Sequence, residues 1–298
     1  MRQLLRLLLS ATLIAVPTTL VAQTGPQPWR KGDIPPTGHF SLSLEYDRIG
    51  ARDLDDAGVS GVEIDDLGVV VDALDAGTRA LDVELASNAF YLRGAYSVYS
   101  PAASPFGVEV FLLLGGADVD LEGGVVDPGS PPESFDLEGD FDLTVGGGFR
   151  SRLYAVDRLK FLAEFSVRWS GHDTDVAMVD NLELDLDLGE SARPDFDLDV
   201  LSWQLSIYAS YVLDVGRLSL APYGGFRFSG VSVDLEGRQD FFDPGFDGSQ
   251  TIDYDTEEDG VFGLFLGVEA AFTENVAAFV EVRFVEEFAL TIGAGFRF

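Results

Sequence analysis

Residues 218–236 read LSLAPYGGFRFSGVSVDLE, and this stretch carries two opposite patterns in a single register. Up to Phe228 the even positions are mostly apolar, while the odd positions include Arg227. In the last six residues the apolar positions are the odd ones, and the even positions carry Asp234 and Glu236. Alternate residues of a β-strand lie on opposite faces. A strand that leaves a bilayer for water would show this inversion, because its outer face has to change from lipid-soluble to water-soluble.

The same inversion occurs in three further segments, 82–92, 109–122 and 195–207. In each segment one parity is apolar along one part and acidic along the other. A β-bulge could mimic the effect in a single strand, because it shifts the pattern by one residue. Four independent bulges would be needed to explain the four inversions, whereas a single membrane boundary explains all of them. The sequence therefore predicts a membrane barrel.

Alternating segments of this kind recur about ten times along the chain. They lie at about 39–47, 90–99, 108–116, 140–152, 159–170, 201–213, 218–229, 261–272, 276–284 and 288–298. Short turns alternate with long acidic connections, and the long ones lie at about 49–86, 121–138, 173–197 and 236–259. Outer-membrane barrels have short periplasmic turns, longer extracellular loops and an even number of strands. We therefore predict an all-β, antiparallel up-and-down transmembrane barrel of ten strands with long acidic extracellular loops, eight strands being the alternative. Residues 62–80 remain ambiguous between helix and strand.

The N-terminal region predicts export of the chain. Residues 1–22 have the features of a secretory signal peptide, with Arg2 and Arg6 before a short apolar stretch and a cleavage site after Ala22. Residues 23–37 are rich in proline and glycine and are predicted to form a periplasmic tether, and residues 38–298 the barrel. The absence of cysteine excludes disulfides and a lipid-anchored cysteine. The predicted location is the outer membrane of a Gram-negative cell.

The formal net charge of −32 limits the classes of partner. Nucleic acid is an unsuitable partner, because phosphate binding requires clustered cations. The acidic stretches are expected to be solvated extracellular segments. Weak binding of divalent cations, next to cation-bridged lipopolysaccharide, is the alternative for these stretches, although none has the glycine and final glutamate of an EF-hand loop.

Aromatic residues at the ends of the alternating segments form the predicted girdles at the two membrane interfaces. These residues are Phe90, Phe141, Trp169, Trp203, Tyr211, Phe262 and Phe272. Their spacing within individual segments fits the 9–11 residues or so that a tilted strand needs to cross a bilayer.

The inward parity of the ten segments carries both signs of charge. The predicted lumen network consists of Glu45, Arg93, Glu109, Arg150, Arg152, Glu164, Arg168, Arg227, Glu269, Glu281, Arg283 and Arg297. Buried charges persist when they are paired, so we interpret this set as a salt-bridged network that fills the barrel. A narrow channel for small solutes, lined by the same charges, is the alternative.

Beyond the membrane, the inverted pattern predicts an apolar cuff inside the barrel. Its members are Val119, Leu121, Leu198, Val200, Val231, Val233 and Leu235. This cuff is expected to be either an ordinary core or a chamber for a small hydrophobic ligand.

Catalysis is the least supported class of function. His172 lies in the stretch SGHDTDV near the predicted outer rim, with Asp173 beside it. Outer-membrane proteases of the omptin kind use Asp and His at this rim, but HDTD does not reproduce their Asp-x-His order. Adjacent strand residues also face opposite sides, so Asp173 is poorly placed to orient His172. We expect no enzyme activity, no cofactor and no bound metal, with an outer-membrane hydrolase as the remote alternative.

The C-terminal quarter resembles small bacterial outer-membrane barrels of the opacity-protein and outer-membrane-protein-A-like group. The resemblance rests on LAPYGGFRFSG, VFGLFLGVEAAFTEN, AAFVEVRFV and FALTIGAGFRF within residues 218–298. The terminal Phe298, with Phe296 two places before it, is similar to the signal that the barrel-assembly machinery recognises. The resemblance implies a monomer in contact with outer-membrane lipid and lipopolysaccharide.

Overall fold

The computed structural model describes residues 34–54, 57–65, 70–73, 79–101, 104–126, 133–179, 182–183, 195–216, 218–243, 246–285 and 287–298. These residues form fourteen strands: β1 (Phe40–Arg52), β2 (Ala57–Asp65), β3 (Val70–Ala73), β4 (Arg79–Tyr99), β5 (Gly107–Val126), β6 (Glu133–Val156), β7 (Leu159–Val179), β8 (Leu182–Glu183), β9 (Asp195–Tyr211), β10 (Leu213–Val215), β11 (Leu218–Asp243), β12 (Phe246–Ala271), β13 (Val276–Phe284) and β14 (Glu287–Arg297). The predicted signal peptide and most of the predicted tether lie outside the described residues.

Ten of these strands form a closed antiparallel barrel. Around the wall their order is β1, β4, β5, β6, β7, β9, β11, β12, β13 and β14. The barrel closes because β1 pairs with β14 on one side, through Leu44 and Ala294, and with β4 on the other, through Leu44 and Leu92. The prediction of an all-β barrel with ten strands is confirmed, and the eight-strand alternative is wrong for the membrane-spanning part.

The outer face of this barrel is an apolar band. Leu44, Leu112 and Leu266 each expose about 60% of their surface, which in water would cost free energy but in lipid is favourable. The inward neighbours of Leu44 are Ser43 and Glu45, whereas buried aromatic and aliphatic side chains such as Phe111 and Phe265 lie inward beside Leu112 and Leu266, so the lumen is lined by both polar and apolar groups. The protein is therefore an integral outer-membrane barrel, as predicted. Within the described ranges, no helix is long and apolar enough to cross a membrane.

Above the membrane the barrel narrows from ten strands to eight. The β13–β14 hairpin turns back after Phe284, whereas the wall strands β4, β5, β6, β7, β9, β11 and β12 continue upward. The chain leaves β1, and the Leu54 N–H donates to the Val83 carbonyl 2.8 Å away. It then forms β2, which pairs with β12 on one side and with the start of β4 on the other. Among the described residues, β2 thus takes the place of three strands and closes an extracellular extension of eight.

Where the structure describes them, the stretches predicted to be acidic loops are mostly strands of this extension. β11 and β12 stay paired up to Asp243 and Phe246, and β5 and β6 up to Val125 and Glu133. The backbone pairing continues because residues in these stretches still alternate between apolar and polar. The apolar residues now occupy the inward positions and the acidic residues the outward ones. β6 and β12 each contain a bulge where the extension begins. The bulge in β6 lies opposite Ala117–Val119, and the bulge in β12 lies opposite Ser229–Val231. The ambiguous stretch 62–80 contributes only strands to the described residues.

Candidate functional site

An apolar layer lies inside the extracellular extension where it joins the membrane barrel. We use the name apolar layer for the following buried residues: Leu54, Ala80, Val83, Leu85, Val119, Leu121, Leu137, Leu198, Val200, Val231, Val233 and Leu235. Phe135 packs against them. All seven residues of the predicted cuff belong to the apolar layer, and none exposes more than 8% of its surface. The prediction that they point into the barrel is confirmed. An eight-stranded barrel has an interior that side chains can fill, which explains why the narrowing coincides with this layer.

Asp47 is the centre of the ionic network below the apolar layer. Its Oδ2 lies 3.0 Å from Arg168 Nη1, and its Oδ1 accepts hydrogen bonds from Arg283 Nη2 and, over 2.7 Å, from the Thr291 hydroxyl. Arg168 lies on β7, four strands away from β1 around the wall, so Asp47 joins opposite sides of the lumen. The Arg168 guanidinium also lies over the ring of Tyr91, 4.9 Å from its centroid. We call Asp47, Arg168, Arg283 and Thr291 the Asp47 cluster.

Glu287 gathers three arginines at the top of the β13–β14 hairpin. Its Oε1 lies 2.7 Å from Arg227 Nη1 and 3.2 Å from Arg283 Nε, and its Oε2 lies 3.6 Å from Arg52 Nη1. These residues come from β1, β11, β13 and β14, which meet where the strand number falls. The arrangement ties the short hairpin to β1 on one side and, beyond β12, to β11 on the other.

A third group of charges lies on β4, β5, β6 and β7. Arg150 Nη2 is 2.8 Å from Glu109 Oε1, and Arg93 Nη1 is 3.0 Å from Glu164 Oε1. The Arg93 guanidinium also stacks over the ring of Phe111, 3.6 Å from its centroid. An aromatic cluster of Tyr208, Tyr223 and Phe265, with Leu162, packs beside these pairs. Guanidinium groups favour such sites because they pair with carboxylates and stack on rings at the same time.

The structure places the predicted lumen residues on the inward face, but not all in one network. Glu45, Glu269 and Glu281 are buried with the pairs described above, and Glu45 Oε1 accepts a hydrogen bond from the Ser43 hydroxyl over 2.9 Å. Arg152 and Arg297 differ from the prediction, because both lie at the periplasmic mouth. The Arg152 Nε donates to the Pro105 carbonyl over 3.0 Å. Arg297 ends β14, and its backbone N–H donates to the Asn275 carbonyl.

Sequence reasoning missed Asp47, Arg52 and Glu287 as members of the network. Asp47 has the inward parity of Glu45, so the alternation could have found it. Arg52 lay in a stretch interpreted as a loop, and Glu287 in a turn next to the last strand. Their roles follow from the long-range meeting of four strands, for which the local pattern carries no signal.

The charges of the described lumen nearly balance. Six arginines (Arg52, Arg93, Arg150, Arg168, Arg227 and Arg283) face seven carboxylates (Glu45, Asp47, Glu109, Glu164, Glu269, Glu281 and Glu287), a formal sum of 6 − 7 = −1. Two small cavities lie among them. One of about 30 Å³ is lined by residues that include Glu45, Arg93 and Gln204, and one of about 10 Å³ lies beside Glu287. Each is large enough for only one or two water molecules.

The predicted girdle residues lie on the outer face. Phe90, Phe141, Phe262, Tyr211 and Phe272 are exposed, whereas Trp169 and Trp203 are half-buried between neighbouring strands. Tyr211 and Phe272 mark the periplasmic end. At the closing strand, the Phe298 N–H donates to the Phe40 carbonyl over 3.0 Å, and the Phe296 and Phe298 rings are 4.9 Å apart.

The outer face of the extension carries carboxylates in register across strands. Glu84 is opposite Glu122, which is opposite Asp136, and Asp120 is opposite Glu138. Partial burial, followed by repulsion from Asp118 and Glu138, raises the pKa of Asp120 above its usual value. Like charges placed directly opposite one another destabilise a sheet, so these rows of carboxylates destabilise the extension.

The histidines do not form an arrangement typical of a hydrolase. His172 is buried, and its Nδ1 lies 3.0 Å from the Asp140 backbone oxygen, while Asp173 is exposed on the other face. At the periplasmic rim, partial burial and then the Arg297 charge lower the pKa of His39. Among the described residues, no group of three or more His, Cys, Asp or Glu side chains is arranged to hold a metal ion.

Comparison with known proteins gives similar architectures at low sequence identity. The sequence matches no protein-family model and no curated protein. The fold is similar to the outer membrane protease OmpT from Escherichia coli, with 10% identity, 87% of this chain and 97% of that chain covered, and a TM-score of 0.44. It is also similar to the translocator domain of autotransporter NalP from Neisseria meningitidis (11% identity, 90% and 91% covered, TM-score 0.40). A third similar structure is the outer membrane protein OprG from Pseudomonas aeruginosa (14% identity, 88% and 97% covered, TM-score 0.35). These likenesses concern architecture alone.

Proposed function

We propose that this protein is a sealed outer-membrane barrel with a structural or surface-interactive role and no catalytic activity. The observation that carries the proposal is the apolar layer, which lies inside the eight-stranded extension directly above a nearly balanced ionic network. An ion would have to cross both layers, and the apolar layer offers it no polar partner. The resemblance of residues 218–298 to opacity-protein barrels favours a role of this kind.

The proposal predicts that the purified protein does not conduct ions. Reconstituted in planar bilayers beside a general porin as a positive control, the protein is expected to give no stable channel openings. Reproducible openings of uniform size would contradict the sealed lumen and would favour the alternative of a narrow channel for small solutes.

We further propose that the partners on the extracellular side are outer-membrane lipid and lipopolysaccharide. Opposed side chains in antiparallel strands have Cβ atoms about 4.5–5.5 Å apart, so the rows through Glu122 and Asp120 offer paired carboxylates to divalent cations. Cations held weakly there would offset the repulsion and bridge to lipopolysaccharide phosphates. Protection of the extension from amide hydrogen exchange that does not change with calcium concentration would count against this part of the proposal.

We propose that Phe298 acts mainly in assembly, as a contact for the barrel-assembly machinery, in a chain that works as a monomer. Phe298 is 68% exposed and so packs little against other side chains of the folded barrel. Deleting it is expected to lower the amount assembled in cells, while the protein refolded in detergent keeps its heat-modifiable gel migration. Phe288→Ala is the matched control, because Phe288 is 67% exposed near the other end of the same strand. Equal losses in the two assays would make Phe298 an ordinary packing residue.

A further inference from the structure

The segment before β1 lies in the periplasmic mouth of the barrel. Ile34 exposes only 2% of its surface, and Pro35 is buried beside it. The Ser97 hydroxyl donates to the Pro35 carbonyl over 2.7 Å, and Ser97 itself is fully buried. The described end of the predicted tether is therefore docked against the barrel wall.

A second set of hydrogen bonds fixes the turn that leads into β1. The Ser100 N–H donates to the Thr37 hydroxyl over 2.7 Å, and the Gly38 N–H donates to the Ser97 carbonyl over 2.9 Å. Gly38 has a φ of 89°, a conformation that glycine adopts without a steric penalty. The turn directs the segment back into the mouth.

Arg152 connects the docked segment with the rim. Its Nη2 donates to the Ser100 hydroxyl and to the Ser104 carbonyl, both over 3.2 Å, and its Nη1 donates to the Ile34 carbonyl over 3.5 Å. Arg152 itself is 9% exposed. One guanidinium thus holds the segment, the end of β4 and the turn after it in a single arrangement.

We propose that Ile34–Thr37 is a reversible stopper of the periplasmic mouth and that Arg152 is its latch. The segment is held by a few side-chain and turn hydrogen bonds outside the strand ladder, so it can detach at a much lower free energy than the barrel needs to unfold. Pro35 and Pro36 restrict the detached chain, which lowers the entropic cost of docking again. The proposal rests on the proposed sealed barrel, in which the ionic network and the apolar layer are the other two barriers. Its test measures the access of a reagent to the periplasmic mouth, whereas the sealed lumen is tested by conductance.

The absence of cysteine in the chain allows a direct test. In the full-length protein, Ala95→Cys places a thiol on the inward face of β4, two residues deeper in the barrel than Ser97, and leaves the Ser97 hydrogen bond to the segment in place. Labelling by a charged, membrane-impermeant maleimide is expected to be slow in this parent. It is expected to be at least about tenfold faster when Arg152→Ala or, separately, Ile34→Asp is added, because the rate reports the population of the open mouth.

Two controls separate opening of the mouth from general loosening of the barrel. Arg158→Ala removes an arginine that is about half exposed at the next periplasmic turn and should leave the labelling rate unchanged. A reporter in the apolar layer, Leu121→Cys, should label equally slowly in all variants. The proposal is overturned if Ala95→Cys labels rapidly in the parent or if neither Arg152→Ala nor Ile34→Asp accelerates its labelling. It is also overturned if both reporters accelerate together.

Discussion

Asp47→Ala is expected to lower the free energy of unfolding of the barrel by about 3–5 kcal/mol, the range typical when one partner of a buried ion pair is removed. The substitution leaves Arg168 and Arg283 without the carboxylate they share, and it takes the acceptor from the Thr291 hydroxyl. Two buried guanidinium groups would then face each other without that compensation. The loss should be large because Asp47 joins strands on opposite sides of the lumen.

Equilibrium urea unfolding of the protein refolded in lipid vesicles, followed by tryptophan fluorescence, measures this change. Asp47→Asn keeps an acceptor for the Thr291 hydroxyl but loses the charge, so its free energy of unfolding should lie between those of the wild type and Asp47→Ala. Asp214→Ala is the matched control, since Asp214 is 57% exposed and pairs with Arg158 over 3.3 Å at a periplasmic turn. A surface pair of this kind contributes less than about 1 kcal/mol. If Asp47→Ala and Asp214→Ala cost the same, the Asp47 cluster does not hold the walls together.

Leu121→Asp is expected to disorder the extracellular extension while leaving the membrane barrel in place. Leu121 is fully buried in the apolar layer, where a carboxylate would find no hydrogen-bond donor among the layer's side chains. Burying an unsatisfied polar group costs roughly 2–7 kcal/mol, to which the lost apolar burial is added. The strands within the bilayer keep their ladder and their ionic network, so the damage should stay above the membrane.

Limited digestion with proteinase K measures this outcome. We expect rapid cleavage within the extension and a protected core that still shows heat-modifiable migration. Glu122→Ala changes the next residue, whose side chain is exposed on the outer face, and should leave the wild-type pattern. Wild-type protection in Leu121→Asp would mean that the apolar layer is not what orders the extension.

The alternation of residues predicts much of this architecture, because a strand with one face toward lipid and one toward the lumen has to obey it. The inverted parity beyond Phe228 identified both the end of the bilayer and the apolar layer. The same pattern does not reveal how far a ladder continues, so the extended strands were interpreted as loops. It also cannot reveal a change in strand number, which depends on one hairpin turning back early.

The ionic network was predictable as a set of inward residues but not as a set of pairs. Parity places Arg93 and Glu164 inside, yet it does not say that β4 and β7 face each other across the lumen. Glu287 was missed because its role depends on the junction of four strands. Arg152 had the right parity for the lumen, but its partners belong to a segment that sequence analysis treated as a free tether.

The early turn of the β13–β14 hairpin sets the calibre of the upper barrel. Barrel diameter grows with strand number, so a hairpin that followed its neighbours upward would surround the apolar layer with ten strands instead of eight. The same leucines and valines would then leave a hollow at the centre. The length of the β13–β14 hairpin thus decides whether side chains close the barrel at the level of the apolar layer, and an insertion that lengthened this hairpin would be expected to open it.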